Sequence, residues 1–146
     1  MKILALAILS LLNFSSLPWL TDFDQAKKNA QEKHERILLT FSGSDWCGPC
    51  IRLHKEIFES DAFIKLADNQ LVLINADFPR LKKNQLTKDQ QQQNDKLADR
   101  YNAAGNFPFT VLLDADGKIL KEWEGFPKQG AAAFIDELNL AMHVNQ

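Results

Sequence analysis

The chain of 146 residues has two cysteines, and both lie in one tetrapeptide, Cys47-Gly48-Pro49-Cys50. A bridge between them closes too short a loop to stabilise a fold through chain entropy. The fold must therefore be held by an apolar core, and the two thiols are left for chemistry. The material for a core is present, since 45% of the residues are hydrophobic and 25% charged. Residues 17–146 fall in the size range of one domain able to bury about two-thirds of its unfolded surface.

The residues after the tetrapeptide continue as a helix. Leu53, Ile57 and Phe58 follow Cys50 at helical spacing, Ile51 widens the apolar face, and Arg52, Lys55 and Glu56 lie opposite. Cys47 thus stands at the helix start and Cys50 one turn inside. The free backbone N–H groups and positive dipole end of a helix start favour a thiolate, taking a cysteine pKa from roughly 8.5 toward about 7 in such motifs. Cys47 is the expected nucleophile. Cys50, on the face of Leu53 and Ile57, is the expected resolving thiol, attacking once a mixed disulfide has formed on Cys47. Gly48 permits close approach of a substrate backbone, Pro49 fits the first helical turn, and Trp46 offers a flat apolar lid beside the sulfur.

Other uses of the motif fit less well. Attachment of a c-type haem requires His directly after the second cysteine, where this chain has Ile51. A zinc site needs two further ligands from His34, His54, His143 or carboxylates, and no two histidines have the usual spacing. A structural disulfide in so short a loop contributes little and is easily reduced. The expected use is redox cycling of Cys47 and Cys50, with no metal and no organic cofactor.

At the N-terminus Lys2 precedes Ile3 to Leu12, in which only Ser10 is polar, followed by Asn13-Phe14-Ser15-Ser16. Such a run suits a signal-peptide core and falls short of the roughly 17 apolar residues of a membrane span. Residues 1–16 are expected to be a signal peptide and 17–146 a single exported domain, periplasmic or extracellular, meeting the membrane only through that segment. The cleavage position is imperfect, because a cut after Ser16 puts bulky Phe14 two residues before it. The formal net charge of −2 moves further negative once Lys2 is removed, which argues against nucleic acid or an anionic membrane as partner. A monomer is expected.

Pattern and capping residues place the elements. Thr21 or Asp22 caps a helix with Phe23, Ala26 and Ala30 inward, reaching about His34. Ile37 to Phe41 is a buried strand leading to the cysteines, and their helix runs to about Phe58. Ser60 caps a short helix with Phe63 and Leu66, and Leu71 to Ala76 is a second buried strand. Thr87-Lys88-Asp89-Gln90 reads as a capping box opening a helix to about Tyr101. Phe109–Leu113 and Lys118–Trp123 form a hairpin about Asp116-Gly117, and Lys128 to Met142 is the closing helix. Between strand and helix, residues 78–94 form a basic, Gln-rich stretch, expected as a solvated loop entering an exposed helix. Trp19, Phe23, Trp123 and Phe126 are expected to serve packing.

Phe41 to Cys50, FSGSDWCGPC, resembles the active-site segment of the thioredoxin family. Leu71–Asp77 resembles the strand after the active-site helix, Gly105 to Thr110 the family's glycine, cis-proline and following strand, and Asp114–Lys118 its next hairpin turn. Cys47, Cys50, Leu53, Glu56, Phe58 and Phe63 are also similar to the extended motif of extracytoplasmic members, such as C-terminal domains of bacterial thiol:disulfide interchange proteins. The resemblance implies an α/β thioredoxin fold, a central mixed sheet flanked by helices. It implies a protein thiol:disulfide oxidoreductase, with reductase favoured by CGPC over oxidase or isomerase, protein disulfides as substrates and a membrane thiol as electron donor. It also implies that Pro108 is cis beside the cysteines, leaving the backbone of Phe107 free to pair with substrate; thioredoxins usually carry Ile, Thr or Val at the position of Phe107. The alternative is a non-catalytic scaffold of the same fold.

Two interior positions depart from the family. Thr40 stands where thioredoxins bury an acid that helps deprotonate the resolving cysteine, and Leu73 replaces the lysine that accompanies it. His54, within about 40° of Cys50 on a helical wheel, is expected on the apolar face as a packed, hydrogen-bonded histidine or as a proton relay.

Overall fold

A computed structural model describes residues 16–144. The signal segment expected at 1–16 lies outside the described residues except for Ser16, which is exposed. Twelve elements follow: β1 (Trp19–Leu20), α1 (Phe23–Lys33), β2 (Arg36–Ser42), α2 (Gly48–Leu53), α3 (Asp61–Ala67), β3 (Leu71–Asp77), α4 (Lys88–Tyr101), β4 (Phe109–Leu113), β5 (Ile119–Glu124) and α5 (Ala131–His143), with a π-helical turn at His54–Phe58 continuing α2 and a 3-10 turn at Lys82–Asn84 after β3. The strands form one mixed sheet in the order β1-β3-β2-β4-β5. Strand β3 runs parallel to both β1 and β2, whereas β4 runs antiparallel to β2 and β5. This is the expected thioredoxin fold, with a short edge strand added by Trp19 and Leu20.

Strand periodicity divides the core between two faces. Ile37, Leu39 and Phe41, with Val72, Ile74, Ala76, Val111 and Leu113, meet Phe23, Ala26 and Ala30 of α1 and Leu97 and Tyr101 of α4. Leu38, Leu73 and Leu112 meet Leu53, Ile57, Phe58, Phe63, Phe134 and Leu138 from the other helices. Among the described residues no helix is long and apolar enough to cross a membrane.

Helix starts follow the capping residues. The carboxylate of Asp22 accepts Gln25 N–H, the Ser60 hydroxyl accepts Phe63 N–H, and the Thr87 hydroxyl accepts Gln90 N–H. The last is only half of the expected capping box. The Gln90 amide reaches instead to Thr21 O and Asn94 Oδ1, both at 2.9 Å. Gln93 joins it, donating to Thr21 O at 2.6 Å and accepting Phe23 N–H at 3.0 Å. The glutamines thus fasten α4 to the chain entering α1, so the Gln-rich helix is not simply a solvated face. The closing helix also starts later than expected. Pro127 to Gly130 form a turn, with Gly130 N–H donating to Pro127 O, and the φ of 90° at Gly130 lies outside helical geometry.

Candidate active site

Strand β2 ends in Ser42, and a tight turn delivers the cysteines to the start of α2. Both Trp46 N–H and Cys47 N–H donate to Gly43 O, at 3.2 and 2.8 Å. Gly43 is required by the Trp46 indole, since a Cβ there would lie 2.2 Å from the ring. Cys47 is the N-cap of α2, and its Sγ accepts Cys50 N–H at 3.2 Å. The two cysteines are disulfide-bonded with Cα atoms 5.2 Å apart. Gly48 and Pro49 are exposed, and nothing lies within 4 Å of where a Gly48 side chain would project.

Exposure does not separate the two sulfurs as their places in the helix suggested. In the disulfide-bonded state Cys47 is 4% exposed and Cys50 5%. Their surroundings do differ. Cys47 takes a helix-start N–H, whereas Cys50 borders a cavity of about 340 Å³ that is also lined by Thr40, Ser42, Asn75, His54, Phe58 and Pro108. Thr40 is buried, opposite Asn75 in β3 and Thr110 in β4. The Ser42 hydroxyl donates to Asn75 Oδ1 at 2.8 Å, and Asp77 accepts both the backbone N–H and the hydroxyl of Ser44. Polar groups therefore line the side of Cys50 where thioredoxins place one buried acid.

His54 lies on the side of the helix that the wheel gives it, but it is not packed as expected. At His54 the helix widens, with its N–H shared between Cys50 O and Ile51 O and its own carbonyl accepting Glu59 N–H five residues on. From Cys50 to His54 the backbone is still α-helical, so the two residues share one side of the helix, and the widening acts only on the residues after His54. The imidazole is half exposed, its Nε2 is 3.3 Å from Glu59 Oε1, and its ring centroid lies 5.9 Å from that of Trp19. It is not a core histidine, although it borders the same cavity as Cys50.

Trp46 is more than a lid. Its indole N–H donates to Phe78 O at 2.7 Å, its ring meets that of Phe107 edge-on at 5.5 Å, and the Arg80 guanidinium lies 3.6 Å above it. Phe107 in turn packs edge-on against Phe78 at 5.5 Å. The Phe107–Pro108 peptide is cis, and Pro108 is buried at the cavity edge beside Cys50. Trp46, Phe107 and Pro108 thus come together around the disulfide, from segments about 60 residues apart in sequence.

Sequence inspection missed Asp45. Its carboxylate accepts Arg80 N–H and Leu81 N–H, each at 2.9 Å, and the Asn84 side-chain amide at 3.0 Å. These donors, with Arg80 N–H foremost, hold the carboxyl below the usual carboxylate range. An acid immediately before the Trp-Cys pair was visible, but its partners are fixed only by the path of the loop after β3. Residues 78–84 are therefore docked against the redox segment rather than free in solvent. Among the described residues no group of three His, Cys, Asp or Glu side chains is arranged to hold a metal ion.

A family model of the thioredoxin-like domain matches residues 23–140. The chain belongs to the thioredoxin-like family. Within it, the disulfide bond reductase DsbH of Chlamydia pneumoniae is 34% identical over 128 residues, covering 88% of this chain and 74% of the relative. The thioredoxin-related protein DsbJ of the same organism is 28% identical over 123 residues, covering 84% of this chain; the matched part is 34% of DsbJ. Among solved structures, a DsbH oxidoreductase matches with a TM-score of 0.80 and 30% identity over 99% of this chain and 96% of that one. A thioredoxin from Thermus thermophilus gives 0.67 at 17% identity over 88% and 89%, a likeness of fold alone. The chain is a thioredoxin-fold disulfide oxidoreductase similar to DsbH and DsbJ, with Cys47 and Cys50 as its disulfide pair.

Proposed function

We propose that this thioredoxin-like protein is exported and reduces protein disulfides. The Cys47 thiolate attacks one sulfur of a substrate disulfide, forming a Cys47–substrate bond and releasing the other substrate sulfur as a thiolate. Cys50, once deprotonated, attacks Cys47 Sγ, closes the Cys47–Cys50 bond and frees the second substrate thiol. Two electrons pass to the substrate, and a dithiol donor, expected at the membrane, must return them. Trp46, Gly48, Pro49, Phe107 and Pro108 shape the approach to the sulfurs, and His54 receives the Cys50 proton across the shared cavity. Export rests on Lys2 and the apolar run Ile3–Leu12.

The observation that carries this reading is the polarity of the disulfide. Only Cys47 Sγ accepts a backbone N–H at the helix start, which favours a thiolate there, while Cys50 faces the cavity. The direction of electron flow is supported by the Gly48-Pro49 dipeptide between the cysteines and by the similarity to a disulfide bond reductase. Insulin reduction driven by dithiothreitol, together with the Cys47–Cys50 potential, tests it. A reductase has a potential nearer the roughly −270 mV of thioredoxin than the roughly −120 mV of a strong oxidant. Absence of insulin turnover would return the protein to the scaffold alternative, and an oxidant-like potential would reverse the direction.

A further inference from the structure

The segment after β3 brings positive charge to the redox site and leaves it unpaired. Arg80, Lys82, Lys83 and Lys88 are all exposed, and among the described residues none has a carboxylate oxygen within 4.0 Å. Four cations within nine residues contrast with a chain whose net charge is −2. Leu81, among them, is 47% exposed. The segment is also held in place. Asp45 accepts three N–H groups from it, Trp46 donates to Phe78 O, and Arg80 covers the Trp46 ring. A solvated linker needs none of these ties to the two residues that precede Cys47.

We propose that residues 80–88 form a specificity surface for acidic polypeptide segments flanking the substrate disulfide, with Leu81 as an apolar contact. The inference rests on the reading of this protein as an oxidoreductase acting on protein disulfides, and gives that substrate its charge. Because Asp45 fixes the backbone and Arg80 lies on Trp46, the cations stand at a set place beside the sulfurs. Carboxylates near a bound disulfide are drawn to them without having to order a loop. The Asp45 carboxylate, charged at neutral pH as any aspartate is, keeps its three donors engaged there. An acidic peptide flank is favoured over an anionic membrane because the cations stand beside the redox segment, where the polypeptide carrying the substrate disulfide must lie.

The test uses three peptides, each with one intramolecular disulfide, differing only in three flanking residues that are all Glu, all Gln or all Lys. Dithiothreitol-driven kcat/KM is expected to fall in the order Glu, Gln, Lys, spanning about tenfold at low ionic strength and collapsing at about 0.5 M salt. Lys82→Glu with Lys83→Glu sets two carboxylates against the remaining Arg80 and Lys88, and should level the three rates. Fluorescence anisotropy with Cys→Ser versions of the peptides reads the surface without any redox step. Ranked binding without turnover would keep the surface and defeat the reductase reading. Equal binding and equal kcat/KM for the three peptides would overturn the surface proposal. Equal peptide rates accompanied by binding to phosphatidylglycerol vesicles that the double variant abolishes would overturn it in favour of a membrane contact.

Discussion

The two faces of the central strands differ in one respect that locates the chemistry. On one face Ile37, Leu39, Phe41, Val72, Ile74, Ala76, Phe109, Val111 and Leu113 are apolar from end to end under α1 and α4. On the other, Leu38, Leu73 and Leu112 begin the same way, but the next positions in register are Thr40, Asn75 and Thr110, then Ser42 and Asp77. The change falls where α2 begins, and the cavity beside Cys50 opens there. An uninterrupted apolar face serves stability. A face that turns polar under a cysteine forgoes some hydrophobic burial in exchange for groups able to solvate a thiolate and pass a proton.

The comparison is most directly tested at the polar end. Cys47→Ser should abolish insulin reduction while the sheet and both cores remain folded, and Cys50→Ser should accumulate mixed disulfides with substrate. Non-reducing electrophoresis after trapping reads this directly; adducts on the Cys47 variant rather than the Cys50 variant would reverse the two roles.

On the apolar face the expected effect is thermodynamic. Leu39 is fully buried between Phe41 and Ile37, so Leu39→Ala should cost about 2–5 kcal/mol in urea unfolding with turnover per folded molecule unchanged. A proportionate loss of turnover under conditions where the variant is fully folded would show that the two faces are not separate in function.

A smaller effect is expected at His54, where both arms concern a proton. His54→Gln should slow resolution of the mixed disulfide severalfold near pH 7 while leaving Cys47 attack nearly unchanged, with recovery at higher pH as the Cys50 thiol ionises unaided. Stopped-flow rates of the two steps decide it. Equal resolution rates in both proteins from about pH 6 to 9 would leave the imidazole to its contacts with Glu59 and Trp19.

The smallest effect is local to the docked segment. The Asp45 carboxyl is held below its ordinary value of 3.8, so its anchoring is complete above that value and lost as pH falls through the lower, folded one. The amide NMR resonances of Arg80 and Leu81 should therefore titrate with a midpoint below 3.8, and Asp45→Asn should remove that titration. A midpoint at or above 3.8 would mean that the segment is not held through Asp45.

Much of this was legible in one dimension. Capping residues marked the starts of α1, α3 and α4, runs such as Ile37–Phe41 and Leu71–Ala76 marked buried strands, and the CGPC segment with Phe107-Pro108 marked the site. The misplacements have local causes. Gly130 at φ 90° delayed α5, and the His54 ring, one turn from Cys50, stands half exposed beside Glu59 rather than packed in the core. Gln90, three residues after Thr87, suggested a reciprocal cap, but the carbonyl of Thr21 offered the amide a better-placed acceptor.

What the sequence determined by itself was whatever depends on near neighbours: helix starts, strand periodicity, and two thiols spaced to close a ring at a helix tip. Those follow from backbone geometry over a few residues and need no knowledge of the rest of the chain. Tertiary structure alone decided what surrounds the thiols. The register of β2 with β3 and β4 sets Thr40, Asn75 and Thr110 side by side near Cys50, and the path of residues 78–84 returns Arg80 to Trp46 and its amides to Asp45. Each of these is a contact between residues more than 30 positions apart, made specific by the pleat and pairing of the whole sheet, and no local pattern encodes it.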